Sequence, residues 1–261
     1  MELTTLVTKV ENHIGYLYLN RPEVLNSFNE TMHAELYHVL SDWKDNNDVH
    51  VILISSQGRA FCAGQDLQFG PNFHSEEIDA GLVLEKFYNP LIKLISSINK
   101  PVVAAVNGTA AGAGMSFALA CDMVVARKSV KFVQSFCHVG FIPDAGGTWY
   151  LPRLAGSGQA LGLMFLGNKI SADQALAKGL IWDVYEDDEF ESKVQELVTE
   201  LSERPVYILG LMKQAVKASF SNTLEEQLDL ERKYQKIAGD HRDFVEGVMA
   251  FIQKRKPQFN R

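Results

Sequence analysis

Apolar and polar positions fall into two regimes along the chain. Up to about Tyr185, short apolar runs alternate with helix-period stretches; after it only helical periods remain. Leu6 to Val10 and Ile14 to Leu19 alternate, which predicts two strands turned at Glu11-Asn12-His13. Asn20-Arg21-Pro22 stops the second, because proline lacks a ladder donor. A helix is predicted from about Asn29, where Met32, Leu36, Val39, Leu40 and Trp43 recur at helical spacing. Val51 to Ile54 and Pro101 to Val106 are uninterrupted apolar runs and read as buried strands, each followed by a loop, Ser55 to Gly70 and Asn107 to Gly114. Between them a long apolar period from about Glu76 to Ser97 predicts a helix kinked or split at Pro90. Met115 to Cys121 reads as a short apolar helix, and Met123 to Ala126 and Lys131 to Val133 as strands. Strands alternating with helices imply parallel pairing with helical crossovers, an α/β class.

Ser157 to Leu166 is an apolar helix. Ser171-Ala-Asp-Gln174 is a capping box opening another, which Gly179 should end before a last strand, Leu180 to Tyr185. Four helices then follow, Phe190 to Ser202, Val206 to Phe220, Leu224 to Ala238 and Asp243 to Gln253, the third opened by a second capping box, Thr223 to Glu226. Arg204-Pro205 divides a core of residues 1–204 from a helical segment, 205–261. So short a helical segment cannot close its own core and should pack on the rest of the chain or on another subunit.

Composition changes the picture mainly by exclusion. The chain has 261 residues and a net charge of −7, which disfavours nonspecific nucleic-acid binding, and no basic run suggests an acidic membrane surface. No apolar run reaches the length of a membrane span, and the start Met-Glu-Leu-Thr-Thr is unlike a signal peptide. Cys62, Cys121 and Cys137 have no metal-ligand or disulfide spacing and read as reduced thiols of a cytoplasmic protein without a metal site.

Candidate chemistry gathers in three places. In Gly140 to Trp149, Asp144 stands alone among apolar neighbours, between Pro143 and the pair Gly146-Gly147. It reads either as a helix N-cap or as a catalytic carboxylate. Two glycine loops, Phe61 to Leu67 and Asn107 to Gly114, follow buried strands, where ligands collect in open α/β folds. Small residues there let two backbone N–H groups converge on one oxygen. Gly112-Ala-Gly114-Met-Ser-Phe117 fails the dinucleotide fingerprint at its third glycine, and no acid follows at the ribose-binding distance.

In order and spacing these stretches resemble the enoyl-CoA hydratase/isomerase (crotonase) superfamily over nearly the whole chain. The residues that carry the likeness are Leu19-Asn-Arg-Pro22 with Leu25-Asn26, Phe61-Cys-Ala-Gly-Gln-Asp-Leu67, Lys100 to Gly108, Ala120-Cys-Asp122, Ile142-Pro-Asp-Ala-Gly-Gly-Thr148, Ser171 to Ala175 with Gly179-Leu180, and Phe251 to Arg255. The resemblance implies a spiral of ββα units with a C-terminal helical segment that trimerises, as a homotrimer or dimer of trimers. It implies an acyl-CoA thioester substrate and no cofactor. By it, the backbone N–H groups of Gln65 and Ala113, flanked by Gly112 and Gly114, form an oxyanion hole. The CoA moiety lies along Val24, Leu25, Ala63, Asp66 and Leu67. Phe251 and Lys254 reach in from a neighbouring subunit, although Lys254 also reads as an ordinary solvated lysine.

Departures from the family point to the reaction. The resemblance places two water-activating glutamates of hydratases at Ser116 and Phe136, and neither is present. Asp144 stands where hydratases usually carry glycine, a pattern similar to acyl-CoA isomerases and to aryl-CoA dehalogenases. The string Ile142 to Trp149 with Leu151-Pro-Arg153 looks most like family members that convert ring-1,2-epoxyphenylacetyl-CoA to the oxepin-CoA in phenylacetate catabolism. The expectation is an acyl-CoA isomerase, also able to shift 3-enoyl to 2-enoyl double bonds, with Asp144 as acid and base and with Phe136 and Trp149 against the acyl group. The alternatives are a hydratase, a dehalogenase, or a non-catalytic scaffold or RNA-binding relative. His138 and Asp122 read as structural, and Ser116 as back-bonded to its own helix.

Overall fold

The computed structural model describes residues 2–66 and 79–260. The chain winds between two sheets. The larger has the order β1-β2-β3-β5-β7-β10, from Leu6–Glu11, Ile14–Leu19, Val51–Ser56, Val102–Val106, Met123–Arg127 and Asp183–Tyr185. The smaller has the order β4-β6-β8-β9, from Ala60–Cys62, Thr109–Ala111, Lys131–Val133 and Ile170–Ser171. Three successive passes, β3 with β4, β5 with β6 and β7 with β8, each give one strand to each sheet and then continue to a helix. This is the expected spiral of ββα units. From β2 onward the larger sheet pairs in parallel, and only β1 with β2 is antiparallel.

The uninterrupted apolar runs follow from burial on both faces. Every residue of β3 and β5 is buried. One face meets Met32, Leu36, Leu40 and Ile95. The other meets Phe190, Val194 and Val198 of the helix Phe190–Ser202. A parallel sheet covered by helices on both sides needs no polar alternation. β4 and β6 lie inside stretches read as loops; at three residues each they are too short to show a period. Asn29 caps the helix Glu30–Asp45 through its side chain, and both expected capping boxes form with both of their hydrogen bonds.

The expected break at Pro90 takes a definite form. Ala80–Val83 and Asn89–Ser97 are α-helical, and Leu84–Tyr88 between them is a π turn. Pro90 cannot donate to the carbonyl four residues back, and its ring crowds that carbonyl; the wider turn ahead of it accommodates both effects. Helix Val206–Ser219 packs on the core. A Cβ on Gly210 would lie 2.5 Å from the Asn99 carbonyl oxygen. Lys213 reaches the Asp122 carboxylate at 2.6 Å, and Asp122 also accepts from the Val102 N–H, a structural role as expected. The next helix, Leu224–Gly239, buries none of its residues, and Met212, Val216, Phe220, Leu228, Val245 and Phe251 are exposed. Among the described residues no helix is long and apolar enough to cross a membrane.

Candidate active site

A cavity of about 560 Å3 opens where the ends of the small-sheet strands meet the helix Ala80–Ser97 and the segment after β8. Ala63, Gly64, Gln65, Gly112, Ala113 and Asp144, from all three stretches singled out in the sequence, line it together with Phe136. The lining also includes Tyr88 and Ser135, which the sequence reading did not assign.

The first wall is a backbone device. Phe28 and Gln65 form a parallel bridge, in which the Phe28 N–H donates to the Gly64 carbonyl (2.8 Å) and the Asp66 N–H to the Phe28 carbonyl (2.9 Å). The Gln65 N–H therefore points away from Phe28, as alternation along an extended strand requires, and has no partner among the described residues. Ala113 opens the helix Ala113–Leu119, so its N–H is one of the donors a helix start leaves unpaired. Gly64, at φ +97°, lets the two loops meet: a Cβ there would lie 3.2 Å from the Ala111 carbonyl oxygen and 3.4 Å from the Ala113 nitrogen. Two unpaired N–H groups thus open on one cavity. Gly114 does not line it; a Cβ there would strike the Cys62 carbonyl at 2.4 Å, so its task is to let helix and β4 touch.

The second wall carries the acid. Asp144 is not an N-cap: helix Gly147–Ala155 is capped by Gly146 without any side-chain bond. The backbone is left-handed at Ala145 (φ +48°) and Gly146 (φ +81°), which turns the chain between the carboxyl and the helix. Asp144 Oδ1 is buried without a hydrogen-bond partner among the described residues. Burial in this apolar setting pushes its carboxyl up to about 7, and its own backbone N–H offsets the shift only partly. Among the described residues lining the cavity it is the one carboxylate. Val83, Leu84, Phe136, Val139, Phe141 and Ile142 make much of the remaining surface apolar.

Several expected contacts fall elsewhere. Trp149 is 51% exposed, lies outside the cavity lining and stacks under the Arg153 guanidinium at 3.2 Å from the ring centroid. Starting the helix at Gly147 turns it away from Asp144. Asp66 is buried in an ion pair with Arg21 at 2.9 Å. Val24 and Leu25 are half-buried beside the cavity, and the Leu25 carbonyl accepts from the Ala63 N–H. Phe251, on the helix Arg242–Gln253, and Lys254, its C-cap, are exposed and lie outside this chain's own cavity lining. Leu67 lies outside the described residues. Ser116 is fully buried and accepts from Gln134 Nε2 at 3.3 Å, in place of a back-bond to its helix. A Cβ on Gly147 would lie 2.7 Å from Ser116 Oγ, so this position has no space for a longer side chain. Cys62 has its thiol pushed up to about 12 by burial, which suits packing rather than nucleophilic attack. His138 meets the Gly167 carbonyl, a structural contact.

The sequence profile described as Enoyl-CoA hydratase/isomerase matches residues 9–261. The chain belongs to the enoyl-CoA hydratase/isomerase family. Within this family it is 47% identical over 260 residues to the 1,2-epoxyphenylacetyl-CoA isomerase of Escherichia coli (strain K12), covering 97% of each chain. It is 40% identical over 259 residues to a Rhodobacter capsulatus protein named "Probable enoyl-CoA hydratase", covering 99% of each. Among solved structures, an enoyl-CoA hydratase from Polaromonas sp. JS666 superposes with a TM-score of 0.90 at 33% identity, over 97% of this chain and 99% of that one. The mixed α/β fold with C-terminal helices is therefore that of crotonase structures.

Proposed function

We propose that the protein is an acyl-CoA isomerase that works through a thioester enolate. The observation that carries this reading is Asp144: a partly buried carboxyl, raised to about 7 and free at Oδ1, on the same cavity as two unpaired backbone N–H groups. The carboxylate takes the proton α to the thioester. The N–H groups of Gln65 and Ala113 stabilise the negative charge that moves to the carbonyl oxygen, a donor of this kind being worth ~10²–10³ in rate. The carboxylic acid so formed returns the proton at another carbon. An isomerisation has no net proton change, so one group near neutrality serves both steps.

The absence of a second acid disfavours water addition, since no other carboxylate among the described lining residues could activate a water. The aromatic and aliphatic surface of Tyr88, Phe136, Phe141 and Ile142 suits a ring-bearing acyl group. Together with the 47% identical relative, it favours conversion of ring-1,2-epoxyphenylacetyl-CoA to oxepin-CoA, with 3-enoyl to 2-enoyl shifts by the same groups. CoA enters as part of the substrate, and no separate cofactor is invoked. The division at residue 204 and assembly as a homotrimer or dimer of trimers in the cytoplasm belong to the same reading. Exposed Met212, Val216, Phe220 and Phe251 suit burial between copies.

The test is a panel of CoA thioesters, crotonyl-CoA, a 3-enoyl-CoA and a ring-epoxidised phenylacetyl-CoA, followed by mass spectrometry and NMR. Isomers of unchanged mass are expected from the last two. Fast hydration of crotonyl-CoA overturns the assignment.

A further inference from the structure

Tyr88 is 2% exposed, yet it lines the cavity. Its hydroxyl donates to Gln65 Oε1 at 2.7 Å, and Gln65 Nε2 donates to the Asp66 carbonyl at 3.3 Å. The Gln65 side chain is thus held at both ends and folded back along its own loop. Its backbone N–H is left facing the cavity. The tyrosine ring is itself fixed. His33 meets it edge-on at 4.3 Å and Phe28 at 5.7 Å. Phe28 is also the residue that bonds Gly64 and Asp66 through its backbone. The tripeptide Gly64-Gln65-Asp66 is therefore gripped from two directions, by the Phe28 main chain and by the Tyr88 hydroxyl. The residue providing the second grip ends the π turn Leu84–Tyr88, an irregularity that often marks a functional site.

We propose that Tyr88 is a positioning residue for the enolisation step: by holding the Gln65 side chain it fixes the direction of the Gln65 N–H that receives the thioester oxygen. The proposal rests on the enolate reading above. An oxyanion donor stabilises the transition state more than the ground-state thioester, because charge reaches the oxygen only as the proton leaves. Loosening its aim therefore lowers kcat and leaves KM nearly alone.

The experiment uses phenylacetyl-CoA, which can enolise but carries no epoxide or side-chain double bond to rearrange. Exchange of its α-hydrogens for deuterium is followed by NMR over a range of pH. The Tyr88→Phe variant keeps the ring and removes the hydroxyl. It is expected to exchange ~10–100-fold more slowly at saturation, with KM within about threefold of wild type, an unchanged melting profile, and an ionisation near 7 still set by Asp144. Gln65→Met, which removes the acceptor, is expected to give the same loss, and the double variant no more than either single one. Wild-type rates in Tyr88→Phe, additive losses in the double variant, or an Asp144 ionisation displaced by a unit overturn the proposal. A wild-type protein that exchanges no α-hydrogen overturns the enolate reading beneath it, a result distinct from the others.

Discussion

Asp66 and Asp144 were both expected at the site, and the structure treats them in opposite ways. Asp66 follows the cavity-lining Gln65, but its carboxylate is buried against the Arg21 guanidinium at 2.9 Å, and Arg21 in turn donates to the Ser27 carbonyl. Asp144 lines the cavity and has an oxygen with no partner among the described residues. Loss of hydration is offset for Asp66 by a fixed cation. For Asp144 no cation offsets it and its own backbone N–H does so only partly, and the carboxyl responds by holding its proton to about 7. A paired acid of this kind fastens the β2–β4 region together, whereas an unpaired one is free to exchange a proton. Position beside a cavity does not separate the two; the partner does.

The sharpest way to break the comparison is Asp144→Asn. Turnover should fall by ~10²–10⁴, the usual share of a positioned acid–base group. Wild-type kcat/KM should rise with pH through about 7 as the carboxyl ionises, and that limb should vanish in the variant. Folded Asp144 holds its proton more tightly than the unfolded chain does, so the stability linked to it is present at low pH and is lost as pH rises from about 4 through 7. Asn has no such loss. The variant should therefore unfold at higher denaturant than wild type at pH 8, by ~1–3 kcal/mol after allowing for partial exposure, and show little such advantage at pH 4.

Arg21→Leu is the converse test. It leaves Asp66 buried without this cation and should cost ~3–5 kcal/mol in urea unfolding, while kcat of the folded enzyme falls far less than in Asp144→Asn. If instead KM for CoA thioesters rose tenfold or more with stability intact, Asp66 would belong with Asp144 rather than opposite it.

A smaller effect comes from His33, a buried ionisable group in the core. It is 4% exposed, packed among Phe28, Phe87 and Tyr88, with neither ring nitrogen hydrogen-bonded among the described residues, and burial pushes it down to about 4. The unfolded chain takes up this proton near 6.5, so wild type should lose stability as pH falls from about 6.5 to 4, by up to ~3 kcal/mol. His33→Leu should lack that part of the loss, which denaturation at pH 7 and pH 4.5 would measure.

Local features were readable from the chain. The boxes at Ser171 and Thr223 and the helix Phe190–Ser202 depend on neighbours a few residues apart, and each appears where expected. The buried strands were readable because burial on both faces leaves nothing but apolar residues. The three-residue strand Ala60–Cys62 was not, because what makes it a strand is a partner about fifty residues away. The site divides the same way. The two loops and Asp144 could be singled out because glycines and an isolated acid mark them; Gln65 and Ala113 within those loops were named only by the family resemblance. Tyr88 carries no such mark, since its partner is 23 residues away and its direction depends on the π turn. Trp149 was misplaced because its direction depends on the residue at which the helix starts.

That turn gives chain length itself a meaning. In an α-helix each residue advances the side chains by about 100° and ~1.5 Å. If one residue were lost from Leu84–Tyr88 so that the segment closed as plain α-helix, Ala80, Gly81 and Val83 would swing away from their present places in the cavity wall while Tyr88 stayed with Gln65. If one were gained, they would swing the other way. Substitutions on this helix change the shape of the cavity wall by single side chains, but a one-residue insertion or deletion would replace the wall as a whole. Relatives that differ by such a gap here should accept different acyl groups even where every lining residue type is kept.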